Sequence, residues 1–161
     1  MQKLINQTSE IENTWTLIRD EAGDLSQANI MIPASYWVAN QAEFEGRNDV
    51  AIWFAGDVNI SDFDGKLDQF PVVGVDFPAF ADGRGYSIAH LIIERQNYQG
   101  ELRAIGDVLI DQLYFMKRCG FNTYLLTDEL EPKVAIQYFE TFSEPYQLAV
   151  DIKDPIFRRK A

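Results

Sequence analysis

Cysteine is nearly missing from this sequence: Cys119 is the only thiol among 161 residues. A lone thiol builds neither an intramolecular disulfide nor a cysteine-rich metal or iron–sulfur site. Histidine is equally scarce, with His90 alone, and no Ser/His/Asp or Cys/His constellation is spaced for nucleophilic catalysis. Positive charge is short as well, 14 Lys+Arg against 25 Asp+Glu, for a formal net charge of −11. Such a surface repels polyanions, which argues against nucleic acid as a partner and suits either plain solubility or docking onto a basic protein face. No apolar run reaches the length that spans a bilayer, so no membrane is expected. The opening MQKLINQTSEIEN has no basic leader and no apolar core of a secretory signal, and the expected compartment is the cytoplasm.

What is present is ordinary globular material. Hydrophobic residues make up 47% and charged residues 24%, which at this length implies one domain over 1–161. Residues 1–28 hold two short apolar pieces, Leu4-Ile5 and Trp15 to Ile18, read as an edge hairpin. Residues 29–142 alternate apolar runs with helical spacing, and 143–161 form an aromatic tail expected to pack back until about Ile156. Strands are expected at 29–33, 49–55, 70–77, 101–105 and 122–127. Between them, helices carry Tyr36, Trp37 and Phe44, then Ile88, Leu91 and Ile92, then Leu113 and Met116 behind Asp107 as N-cap, and finally Val134 and Ala135 behind Pro132. The fold class is α/β, an open mostly parallel sheet of about five strands with helices on both faces. A complete eight-unit barrel, typically ~250 residues, does not fit.

In such a sheet, ligands collect where the strands end and the helices begin. That edge would receive Asp57, Asp76, the turn Asp82-Gly83-Arg84-Gly85-Tyr86-Ser87, Gly106, Asp107, Thr127 and Asp128. The turn admits two readings. Two glycines ahead of a helix can offer backbone N–H groups to an oxyanion, with Arg84 and Ser87 as further donors. Alternatively the glycines only permit a tight turn, Asp82 caps the helix, and Arg84 pairs with Asp76 or Asp107 in a satisfied polar network. The ligand-binding candidates are Asp76, Asp82, Gly83, Arg84, Gly85, Ser87, Arg103, Asp107, Gln112 and Asp128, with Asp82 and Asp107 as acid/base candidates. The same aspartates could gather a magnesium ion, but turn formation and capping are the ordinary uses of aspartate and no spacing here is diagnostic of a metal, so no metal and no cofactor is assigned. Cys119, at a helix C-terminus, reads as an inert thiol.

The stretches DFPAFADGRGYSIAHLI and GELRAIGDVLIDQLYFMKRCGF, with the later Tyr146-Gln147, resemble a mainly bacterial family, a domain of unknown function. Its members are commonly labelled oxidoreductases linked to sulfite reduction, because their genes often neighbour those of sulfite or activated-sulfate reduction. The matching positions are Phe77, Pro78, Phe80, Asp82, Gly83, Arg84, Gly85, Ser87, Ala89, Glu101 to Ala104, Gly106, Asp107, Asp111, Gln112, Arg118, Gly120 and Phe121. His90 and Ile93 depart from it, since the family tends to carry arginines there. The resemblance implies an accessory protein of assimilatory sulfate and sulfite reduction, docking onto sulfite reductase or its electron donor. The alternative is a small-oxyanion-binding protein or enzyme with its site at the carboxyl edge. One thiol and no recognisable nucleotide loop leave a literal oxidoreductase third.

Overall fold

All five expected apolar runs become strands, and three two-residue pieces join them. The computed structural model describes residues 2–20, 23–79, 82–140 and 149–151. Within these, β1 (Leu4–Ile5), β2 (Glu10–Ile11), β3 (Thr16–Leu17), β4 (Ile30–Pro33), β5 (Val50–Phe54), β6 (Val72–Phe77), β7 (Glu101–Gly106) and β8 (Thr123–Leu125) form one sheet in the order β2-β1-β8-β7-β6-β5-β4-β3. The sheet therefore has eight strands and not about five. A two-residue strand is too short to print a period on the sequence. Every neighbouring pair from β3 to β8 is parallel, and only β1 is antiparallel, to β2 and to β8.

The N-terminal hairpin exists, but its second arm is Glu10–Ile11 rather than Trp15 to Ile18. Asn6 makes the turn, its Oδ1 accepting from the N–H groups of Thr8 and Ser9 at 2.8 Å each. The Trp15 to Ile18 piece instead runs to the far edge and lies beside β4.

Helices α1 (Ala34–Ala39), α2 (Arg84–Glu94), α3 (Leu113–Arg118) and α4 (Pro132–Gln137) lie on one face, not on both. Because β3 to β8 neighbour one another in strict chain order, crossovers of one hand all fall on the same side. The packing agrees. Trp37, Ile88, Ala89, Ile92, Leu113, Met116 and Ala135 share one cluster with Ile32, Ile52, Phe54, Val73, Val75, Leu102, Ala104 and Tyr124 of the strands. The strand residues of opposite parity, Met31, Ala51, Trp53, Val72, Ile105 and Leu125, form a second, smaller cluster with Ile11, Trp15 and Leu17 and no helical residue.

The sheet must also curl. Only the four residues Glu12 to Trp15 join β2 at one edge to β3 at the other. Five Cα steps reach about 18 Å, whereas eight flat strands would separate the edges by about 34 Å. The short link therefore straps the helix-free face, and Arg103, which points into that face from β7, holds it by donating from Nη1 to Asn13 Oδ1 at 2.9 Å. Arg103 is 3% exposed, and its Nε and Nη2 donate to Glu101 Oε1, which also accepts from Thr123 Oγ1 at 2.7 Å. Arg103 thus lies within the curl, two residues from the start of β7, and not at the carboxyl rim.

Behind α3, the N–H of Val150 donates to the carbonyl of Arg118 at 3.1 Å. The rest of the expected tail, with Tyr146 and Gln147, lies outside the described residues, as does Phe80.

Candidate functional site

Parallel strands deliver β6, β7 and β8 to a common carboxyl edge, so the segments after Phe77, Gly106 and Leu125 emerge on one rim. At the end of β6, Asp76 is buried and points into the helix-free face. Its Oδ1 accepts from Arg19 Nη2 at 3.0 Å. Gly106, opposite Phe77 in the ladder, has φ +90, and a Cβ there would lie 2.7 Å from Asp76 Oδ1 and 2.4 Å from the Phe77 carbonyl oxygen. Glycine at the end of β7 is what leaves room for the Asp76 carboxylate.

The turn before α2 closes on itself. Asp82 Oδ1 accepts from the N–H of Arg84 at 3.1 Å and from its Nε at 2.9 Å, and Oδ2 accepts from Nη2 at 2.6 Å. The bidentate guanidinium holds the Asp82 carboxyl down at about 2, well below the usual carboxylate range, and Asp82 raises Arg84 in return. The chain's own carboxylate thus takes the position where an oxyanion would meet the first helical N–H. Arg84 lies across Gly56, within reach of the Asp57 charge.

This pair sets an acid-side signature. A carboxylate depressed in the folded state stabilises above its unfolded value of about 3.9 and loses that contribution as pH falls through about 2. Asp82→Asn should therefore flatten the melting curve's pH dependence between about pH 4 and pH 2, measured by calorimetry on both proteins. Equal slopes in that window would contradict the pairing.

The other sequence candidates scatter. Gly85 is buried as a packing contact, since a Cβ would sit 2.6 Å from Phe77 Cε1. Gly83 is exposed and has open space around it. Ser87 is exposed on α2 and faces outward, into a groove shared with α3. Asp107 donates its N–H to the Phe77 carbonyl at 2.7 Å and does not cap the next helix. That segment starts as a 3-10 turn at Ile110–Gln112 behind Leu109, with no side-chain cap. Gln112 closes this turn by donating its N–H to the Leu109 carbonyl, and Asp128 lies exposed in the turn after β8. The structure joins Asp82 to Arg84 and sets Asp76 against Gly106. The partner of Arg84 is thus Asp82, two residues away in its own turn, and no described hydrogen bond or ion pair joins Arg84 to Asp76, Asp107 or Asp128.

Two hollows matter. Between α2 and α3 runs an apolar groove of about 450 Å³ lined by Tyr86, Leu91, Phe115, Cys119 and Val150 among others. Phe115 is 49% exposed there and meets the Tyr86 ring edge-on at 4.8 Å. Burial pushes the Cys119 thiol up to about 11, so it is not a thiolate near neutrality. A second cleft, about 460 Å³, opens at the carboxyl ends of β3, β4 and β5 beside Arg19 and Trp53. The sequence expectation omits this cleft although the same edge rule points there. Arg19 follows Ile18 at the end of β3, and recognising that two-residue strand would place it on the rim.

These features define an α/β protein with a curled, mostly parallel sheet and helices on one side. The chain belongs to the family described as bacterial protein of unknown function (DUF934), whose model matches residues 51–157. No curated protein and no solved structure matches it.

Proposed function

We propose that this protein is an accessory protein of assimilatory sulfate and sulfite reduction that docks onto sulfite reductase or its electron donor. The observation that carries the reading is the groove between α2 and α3, with Phe115 half in solvent beside Tyr86, Leu91 and Val150. An exposed aromatic against an apolar groove is the usual anchor of a protein interface. The net charge of −11 adds steering toward a basic partner face. The link to sulfur reduction rests on the motif resemblance. A pull-down with each purified partner at low and high salt tests it: retention at low ionic strength, weakened by salt and lost in Phe115→Asp, is expected. No retention of either partner at low salt would overturn the reading.

A second reading, an oxyanion-binding protein or enzyme at the carboxyl edge, is favoured by the shared polarity of β6, β7 and β8. In it Asp82, Gly83, Arg84, Asp107 and Asp128 contribute to the site, with Asp82 or Asp107 as acid/base, whereas Asp76 on Arg19, Gly85 against Phe77, Ser87 in the α2–α3 groove and Arg103 within the curl stand apart from it. The Asp82–Arg84 pair then has to open to admit the ligand. Sulfite or sulfate at 100 times its dissociation constant would stabilise the fold by about 2.7 kcal/mol, a gain that Arg84→Ala removes.

A further inference from the structure

The second cleft uses none of the turn residues. Its apolar walls are Ile18, Leu25, Ile32 and Ala39, and its polar groups include Ser35 and Asn40. At about 460 Å³ it is of the size that holds a small molecule.

Arg19 is the feature that gives the cleft a chemistry. Its side chain is 48% exposed, yet it is fixed at two points. Nη2 donates to the buried Asp76 carboxylate at 3.0 Å, and the guanidinium carbon stands 5.6 Å from the centre of the Trp53 ring. Trp53 is held in turn, since its Nε1 donates to the Ile18 carbonyl at 2.9 Å. A cation fixed by stacking and by an ion pair binds with little further ordering cost. The described bond to Asp76 uses one nitrogen of the fork, and a guanidinium edge matches a planar carboxylate.

The surrounding charge narrows the choice. Asp76 already pairs with Arg19, and Asp20 is a second acidic residue in the cleft lining. Carboxylates this near the guanidinium oppose a dianion such as sulfate or hydrogen phosphate more strongly than a single negative charge, which leaves a monoanion as the better match to Arg19. The walls beside it are aliphatic, which calls for a short hydrocarbon body.

We propose that the cleft at the carboxyl ends of β3, β4 and β5 binds a small organic monocarboxylate, its carboxylate on Arg19 beside Trp53 and its hydrocarbon body against Ile18, Leu25 and Ile32. This site is separate from the α2–α3 groove and from the Asp82 turn, and it stands whether or not the partner docks.

Calorimetric titration of the full chain tests it, with isovalerate and phenylacetate as probes and isovaleramide and sulfate as controls. At least one monocarboxylate binds at millimolar concentration, and the amide and sulfate bind at least about tenfold more weakly, the expected weight of a charge-assisted pair. Arg19→Gln lowers carboxylate affinity by about tenfold or more. Because that change leaves the buried Asp76 without its ion partner, Ala39→Trp is the second variant. It fills the cleft from an exposed helix position and abolishes binding with the far-ultraviolet circular dichroism unchanged. Neither carboxylate binding, equal binding of the amide, a preference for sulfate, or full affinity in Ala39→Trp overturns the proposal.

Discussion

Gly106→Ala lowers the stability of this protein by about 3 kcal/mol, while Gly83→Ala, at the head of α2, raises it slightly. The two positions differ in backbone and surroundings. Gly106 has φ +90, a conformation that costs an L-residue roughly 1–3 kcal/mol. A Cβ there also meets backbone, the Phe77 carbonyl oxygen at 2.4 Å, which cannot swing aside as a flexible side chain does. That oxygen accepts the Asp107 N–H at 2.7 Å, so moving it breaks a bond at the end of β6. The displaced Asp76 then strains its pair with Arg19, and monocarboxylate binding weakens with it. Gly83 sits at φ −79 and ψ −4, and a Cβ added there would have nothing within 4 Å, so alanine mainly stiffens the unfolded chain, for a gain of about 0.4–1 kcal/mol. Urea titration measures both as shifts of the midpoint at constant slope. Equal, small shifts of one sign would show that Gly106 tolerates a side chain.

Arg103→Met costs about 2–4 kcal/mol, and most of that returns when Glu101→Gln is added. Arg103 is 3% exposed with three donors engaged, on Glu101 and on Asn13. Removing it leaves the Glu101 carboxylate with Thr123 as its remaining described partner and frees the strap across the sheet. Breaking one partner of a buried pair commonly costs about 3–5 kcal/mol, and because the Glu101 side chain is 28% exposed the lower figure applies here. The double variant removes the orphaned charge, so the two changes are far from additive. A double-mutant cycle by urea titration reads the coupling, and simple additivity would mean that Arg103 contributes through Asn13 and packing and not through Glu101. The single variant also loosens Asn13, which hydrogen exchange at Glu12 to Trp15 detects.

How much of this is legible in the sequence depends on segment length. The runs at 49–55 and 70–77 are continuous, and they appear as strands because a parallel strand covered on both faces reads as unbroken Val, Ile and Phe. Pro132 at the start of α4 and Lys117 and Arg118 in the last turn of α3 are likewise plain, since those preferences are local. Sidedness is not. Whether helices cover one face or two depends on strand order, and nothing in an alternating pattern separates chain-order neighbours from a sheet that reverses midway. Asp107 looks like a cap but is not one, because the segment after it begins with an extended Leu109 and a 3-10 turn. At the rim, the position of the Asp82 turn is legible, whereas the choice between an open anion site and a self-satisfied cap needs the distances to Arg84. Arg19 is hidden because β3 has two residues, and Arg103 misleads because its depth within β7 shows only once the strand's start is fixed.

Docking through the α2–α3 groove is tested most directly by a photocrosslinking amino acid at position 115, compared with one at the exposed Asn48 ahead of β5, against purified sulfite reductase and its electron donor at low ionic strength. If the groove is the interface, position 115 gives a covalent adduct with one of the two proteins, suppressed by salt, and position 48 gives none. Adducts from both positions alike, or from neither, would contradict it.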